Sequence, residues 1–204
     1  MLGAGTFDAD FALQSLGGNR LHSKYSPGAS EAMMASVKLL HPESAEDYAQ
    51  VHALATAELG PDLASLEEIK RVDRLTGASI WVVRRHGAVS GFLAPLALTL
   101  AGRNALIEGK FDSAHIQQEW VARMGEPLAG FYCWCYAGRD QVTRGALVLA
   151  LRTLIDTHFR DLPFFGRDST EAGARIMRHL GFFPFDGAPH LFWRCCAVMG
   201  GKAA

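Results

Sequence analysis

The chain has almost no excess of charge: 20 Lys and Arg stand against 21 Asp and Glu, a formal net charge of -1 over 204 residues. Without a long-range positive field, neither a phosphate polyanion nor an acidic membrane surface is a natural partner, so nucleic acid and membrane are set aside. Cysteine is scarce. Cys133, Cys135, Cys195 and Cys196 lack the spacing of a secreted disulfide framework, and the opening MLGAGTFDADFALQ has no basic stretch followed by an apolar one. The expectation is a reducing, cytoplasmic setting. Long apolar runs are missing too: Gly87 to Ala101 reaches about 15 residues, with Ser90, Pro95 and Thr99 inside it, short of the ~20 that cross a bilayer. There is no internal repeat, no glycine-rich dinucleotide fingerprint and no Walker loop. His86-Gly-Ala-Val-Ser90-Gly91 lacks the glycine two before serine that a hydrolase elbow needs.

What is present reads as one folded domain with an appendage, 49% apolar and 20% charged. Residues 1–35 mix Gly, Ser, Asn and Asp with scattered apolar residues and read as an arm or tail, which could pack on a neighbouring copy in a homodimer. The domain, 36–204, opens with a strand at SVKLL (36–40). Tyr48, Val51, Leu54, Ala55 and Leu59 then recur at helical spacing behind a Ser44 cap, and a second helix from Ser65 to Leu75 stops before Gly77. SIWVVRR and VSGFLAPLALTL around His86-Gly87 predict a hairpin. DSAHIQQEWVARM, Asp112 to Met124, predicts an inserted helix with Ile116, Trp120, Val121 and Met124 on one face.

LAGFYCWCYA (128–137) is apolar on both faces, so it predicts a central strand in which Phe131, Cys133 and Cys135 alternate against Tyr132, Trp134 and Tyr136. A turn, GRDQVTR, precedes a helix from Arg144 to His158. Pro163 to Arg167 predicts a further strand, Glu171 to Leu180 a helix capped by Ser169 or Thr170, and FFPF and HLFWRCC two closing strands. The order is mixed α/β with one parallel crossover in its second half. Alternation places Cys133 and Cys135 on one face and Cys195 and Cys196 on opposite faces, so the thiols read as small buried residues rather than a zinc site.

VKLLHPESAEDYAQVHAL, GFYCWCYAGRDQVTRGALVLALRTL and STEAGARIMRHLGFFPF, in this order, resemble the first strand and helix, the central strand with its phosphate loop and helix, and the closing Leu-Gly-Phe helix of the GNAT superfamily, the Gcn5-related N-acetyltransferases. The resemblance covers residues 36 to 196. It implies a mixed, twisted and splayed sheet flanked by helices, acetyl-CoA or another acyl-CoA as cosubstrate, and N-acyl transfer to an amine by direct attack.

In the family the loop reads Gln/Arg-x-x-Gly-x-Gly/Ala and cradles a pyrophosphate, as a loop entering a helix can through its unpaired amides. Here Gln141, Val142, Thr143, Arg144, Gly145 and Ala146 occupy it, with Arg144 where the first glycine is expected; the arginine either adds a contact to phosphate or blocks the approach. Tyr136 and Ala137 before the loop, and Thr170 where the family often has Asn, complete the implied cofactor contacts. Met177 stands where the family often has the Tyr that protonates the departing thiolate, and methionine has no proton to give. Tyr136 is the substitute donor of choice, with Tyr132 and His179 as further candidates. A base must also take the ammonium proton. His115 and Glu119 lie four apart, with Asp112 three before His115, so the three could share a face of the inserted helix, as a base at the substrate mouth or as plain solvated surface; their spacing no more than permits a metal. The rival to an enzyme is a non-catalytic GNAT-like binding or regulatory module.

Overall fold

The computed structural model of the chain describes residues 39–158 and 160–194. The arm at 1–35, the first residues of the opening strand, and Cys195 and Cys196 lie outside the described residues. Leu40 still exchanges two backbone hydrogen bonds with Val82, so the chain enters beside the first strand of the hairpin.

Helix α1 (Ala45–Leu59) starts where Ser44 accepts from the Asp47 amide and Asp47 reciprocates toward the Ser44 backbone, a complete capping box. Helix α2 (Leu66–Thr76) is capped by Ser65 and ends at Gly77 in the left-handed conformation. Strands β1 (Trp81–Arg85) and β2 (Ala88–Leu98) form the expected antiparallel hairpin. They are followed by α3 (Leu100–Ile107), β3 (Gly130–Gly138), α4 (Gln141–Thr153), a π-helical turn to His158, β4 (Phe164–Arg167), α5 (Glu171–His179), β5 (Phe183–Pro184) and β6 (Leu191–Arg194). The open sheet runs β1-β2-β3-β4-β6-β5, and β3–β4 is its parallel pair among antiparallel neighbours. Gly130 to Gly138 is central, as its two apolar faces require.

Both faces are covered. On one, α4 and α5 bury Leu147, Leu151 and Met177 against Leu93, Phe131 and Phe164. On the other, Val51, Leu54 and Ile69 of α1 and α2 pack on Ile80, Val82 and Phe92, while Val72 of α2 and Leu106 of α3 pack on Tyr132 and Phe165. Among the described residues no helix is long and apolar enough to cross a membrane.

The inserted helix expected over Asp112 to Met124 is not there. That stretch is irregular apart from a 3₁₀ turn at Gln118–Trp120. Its apolar residues anchor separately: Ile116, Trp120 and Val121 are buried among Leu98, Leu106 and Phe111. Its backbone groups go elsewhere, the Ile116 amide to Glu68 and the Ala122 amide to Ala97. The helix forms earlier instead, where Thr99 caps α3 by accepting from Gly102. Gly102 fits because a Cβ there would stand 2.0 Å from the Trp120 carbonyl oxygen. The apolar run thus ends in helix rather than strand, because Thr99 stops the β2 pairing and offers a cap.

Candidate functional site

The β2–β3 ladder pairs Ala94 with Cys135 and then Pro95 with Cys133, so Trp134 is an extra residue, a β-bulge. Pro95 has no N–H to contribute, and the bulge falls opposite it. One added residue flips every side chain that follows. Trp134 and Cys135 both pack toward the α1/α2 face, whereas Cys133 and Tyr136 pack toward α4 and α5. The strict alternation expected for this strand is therefore corrected: Cys135 and Tyr136 exchange faces, and Cys133 and Cys135 do not share one. Both thiols are half-buried, and desolvation pushes them up, Cys133 to about 12 and Cys135 further, so neither is a ready thiolate at neutral pH.

The parallel ladder with β4 covers only Phe131–Phe164, Tyr132–Phe165 and Cys133–Gly166. Past Cys133 the strands part, and a cleft of about 380 Å³ opens between them, closed on its far side by α5. Its wall takes in Tyr136, Ala137, Arg144, Arg167, Thr170 and Met177.

At the mouth lies the start of α4, and here the expected loop is corrected. Gln141 to Ala146 are the first turn and a half of helix, not a loop, because Asp140 caps it: its carboxylate accepts from the Thr143 amide at 2.8 Å and its carbonyl from the Arg144 amide. The Gln141 and Val142 amides have no partner among the described residues. The Thr143 amide, and then Arg85 at 3.1 Å, hold the Asp140 carboxyl below its ordinary range. Thr143 is buried, with its hydroxyl 3.4 Å from that of Ser90, and ties the helix to β2 rather than facing a ligand. Gly145 and Val142 face outward and Ala146 is half-buried. Arg144 folds back so that its Nε–H donates to the Gly138 carbonyl, with Glu58 beyond it.

Tyr136 lines the cleft, and burial pushes its hydroxyl up to about 12, so it keeps its proton at neutral pH. Thr170, on the same wall, caps α5 by accepting from Gly173. Met177 fills the space over Gly166, where a Cβ would lie 2.9 Å from its sulfur. Tyr132 is buried on the opposite face beside Ser113, and His179 is exposed on α5. The shared helix face for His115, Glu119 and Asp112 does not exist. His115 pairs with Asp112 at 3.0 Å on an exposed loop, Glu119 is exposed on the 3₁₀ turn, and neither lines the cleft. Sequence patterns do not point to Arg167 or Glu58: Glu58 lies in the last turn of a helix that ends more than 70 residues before β3, and Arg167 reads in sequence only as the end of a strand.

No family model matches the chain, and no curated protein matches it. Among solved structures it is similar to a GNAT-like decarboxylase, GphF, in complex with isobutyryl-CoA, at 15% identity and a TM-score of 0.44 over 70% of this chain and 71% of that one. It is similar to an N-acetyltransferase from Staphylococcus aureus Mu50 at 17% identity and a TM-score of 0.43, over 74% of this chain and 94% of that one. An acetyltransferase of the GNAT family from Streptococcus agalactiae 2603 gives 17% identity and a TM-score of 0.42, over 85% and 93% respectively. It is on the chain's own strand order, the bulge at Trp134 and the parting of β3 from β4 that its resemblance to the GNAT superfamily stands.

Proposed function

We propose that the chain is an acyltransferase that moves an acyl group from a CoA thioester to an amine by direct attack. The observation that carries this reading is the cleft between β3 and β4, open past Cys133–Gly166 and meeting the start of α4 at its mouth. A long thin ligand with phosphates at one end suits it. The Gln141 and Val142 amides, the positive end of the helix and Arg144 would take the pyrophosphate. The edge of β3 from Trp134 to Gly138, which β4 no longer pairs, offers backbone groups to the amides of a pantetheine arm.

The amine nitrogen attacks the thioester carbonyl carbon; a C–N bond forms and the C–S bond breaks. Tyr136, whose hydroxyl stays protonated at neutral pH, gives its proton to the departing thiolate and regains one from solvent. Neither His115 nor Glu119 reaches the cleft, so the ammonium proton leaves through water. Free Cys133 and Cys135 suit a reducing cytosol.

Calorimetric titration with CoA and acetyl-CoA tests the reading; no heat and no thermal shift at millimolar ligand overturns it. Release of free thiol over a panel of amines then tests turnover, and Tyr136→Phe should slow it by about 10²- to 10⁴-fold with little change in affinity. The second reading, a binding or regulatory module, is favoured by Met177 and by the carboxylate that already caps α4. Binding without turnover would favour it.

A further inference from the structure

Arg167 is the first residue past the last β3–β4 pair, Cys133–Gly166, so its side chain stands where the cleft cuts through the sheet. The strand alternates Phe164 toward α4 and α5, Phe165 toward the opposite face and Gly166 toward Met177, which sends Arg167 to the face of the 111–115 loop. There its Nη1 donates to the Phe111 carbonyl at 3.3 Å. This is its hydrogen bond to the protein among the described residues, and it has no carboxylate partner there.

Its neighbours in kind differ. Arg144 at the cleft mouth is held by the Gly138 carbonyl and Glu58, Arg194 by Asp156, and Arg71 by both carboxylate oxygens of Glu68. Arg167 is half-buried and lines the cavity with most of its five donors uncommitted. A half-buried guanidinium that lines a cleft without a counter-ion among the described residues matches a planar anion that can take two parallel hydrogen bonds, which a carboxylate does and a neutral acyl or amine group does not.

We infer that the substrate carries a carboxylate, received by Arg167 in the gap between β3 and β4. This deepens the acyl-CoA reading and rests on it. Two sources share the chemistry: the free carboxylate of a dicarboxylic monothioester, or the carboxylate of an amino-acid acceptor.

Matched pairs tell them apart on the whole 204-residue chain. Succinyl-CoA is titrated against butyryl-CoA, and free-thiol release from acetyl-CoA is followed with amino acids against their amides. The charged member of one pair should be preferred by about 10- to 100-fold, the size of a charge-assisted hydrogen bond, and the pair that responds identifies the source. In Arg167→Met the preference for the charged member over the neutral one should fall below about twofold, and Arg167→Lys, which keeps charge but not the planar fork, should fall between. Arg167→Gln keeps a donor for Phe111 and guards against a loss of fold, read as a changed Tm. Equal handling of both pairs, or a preference that survives in Arg167→Met and Arg167→Gln, overturns the carboxylate site while CoA binding stands. Failure of CoA and every thioester to bind overturns the acyl-CoA reading, and the carboxylate site with it.

Discussion

Arg144 reaches from the first turn of α4 back to the end of β3, where its Nε–H donates to the Gly138 carbonyl at 2.7 Å while its outer nitrogen lies 3.4 Å from Glu58. The guanidinium therefore stands at the cleft mouth, tethered beside the helix start proposed to take the pyrophosphate. Arg144→Ala should weaken CoA binding by about 1–2 kcal/mol, and pantetheine, which lacks the pyrophosphate, should not notice the change. Calorimetry at two salt concentrations checks both, with the difference shrinking as salt rises. A gain in CoA affinity in Arg144→Gly would make the arginine an obstruction instead. Stability should change by less than about 1 kcal/mol, since the pair with Glu58 is exposed.

The amides that remain at the start of α4 can be removed one at a time. Gln141 is the first helical residue, a place where proline is accepted, and Asp140 before it is already extended at φ -133° and ψ 166°, as a residue preceding proline prefers. Gln141→Pro should leave Tm nearly unchanged and cost CoA binding about 1–3 kcal/mol. Gly145→Pro is a different experiment, because Gly145 lies inside the helix; there proline should cost about 3 kcal/mol of stability before any ligand is added. Unaltered CoA affinity in Gln141→Pro would remove the phosphate from this helix end.

Asp47 is the most enclosed acid at the α1 end of the sheet, 2.6 Å from Arg84. Burial alone would raise its pKa, but the amides of Glu43 and Ser44 together with Arg84 more than offset this and hold it below its ordinary value. A carboxyl that binds its proton less readily when folded contributes fully above its unfolded pKa, and the contribution fades as pH falls through the folded value. Urea unfolding should therefore show stability held from neutral pH down to about 5 and then lost below about 4. Asp47→Asn should flatten that fall and cost about 1–3 kcal/mol at neutral pH, because Arg84 is left with the exposed Glu43 carboxylate, 3.3 Å away, as its partner.

Arg103 is the opposite case, 5% exposed on α3 with no partner for its Nε. Burial pulls its pKa down, and no ion pair offsets it among the described residues. Arg103→Met, which keeps the length and drops the charge, should raise stability by about 1–3 kcal/mol in thermal or urea unfolding. A loss of similar size would mean that the guanidinium meets a partner outside the described residues.

The features legible in the sequence are those with local chemistry. Ser44, Ser65 and Thr170 announce helix starts through their side-chain oxygens, Gly77 an end, and His86-Gly87 a hairpin. The two apolar faces of 130–138 place it in the middle of a sheet. The misreadings share a cause, that distant groups decide them. Ile116, Trp120 and Val121 recur at helical spacing yet bind to places set by β2, α2 and α3. The flip of Cys135 and Tyr136 depends on Pro95, some forty residues back, through a bulge that no pattern within 130–138 records. In the site, Tyr136, Ala137, Arg144 and Thr170 could be named from the family pattern and do line the cleft. Arg167 could not, because its place follows from where a ladder stops.

That ladder has a mechanical meaning. Strand β3 holds β2 through eight residue pairs and β4 through three, helped by the stacked rings of Phe131 and Phe164 at 5.1 Å. The sheet is thus two leaves, β1-β2-β3 and β4-β6-β5, bound along a short spine at one end. Turning one leaf about that spine widens the gap without breaking a hydrogen bond inside either leaf, so the width of the cleft is set by the spine and by the helices lying across it. Amide exchange should accordingly be slowest within the leaves and faster along the spine, as it is wherever a small cooperative unit opens on its own.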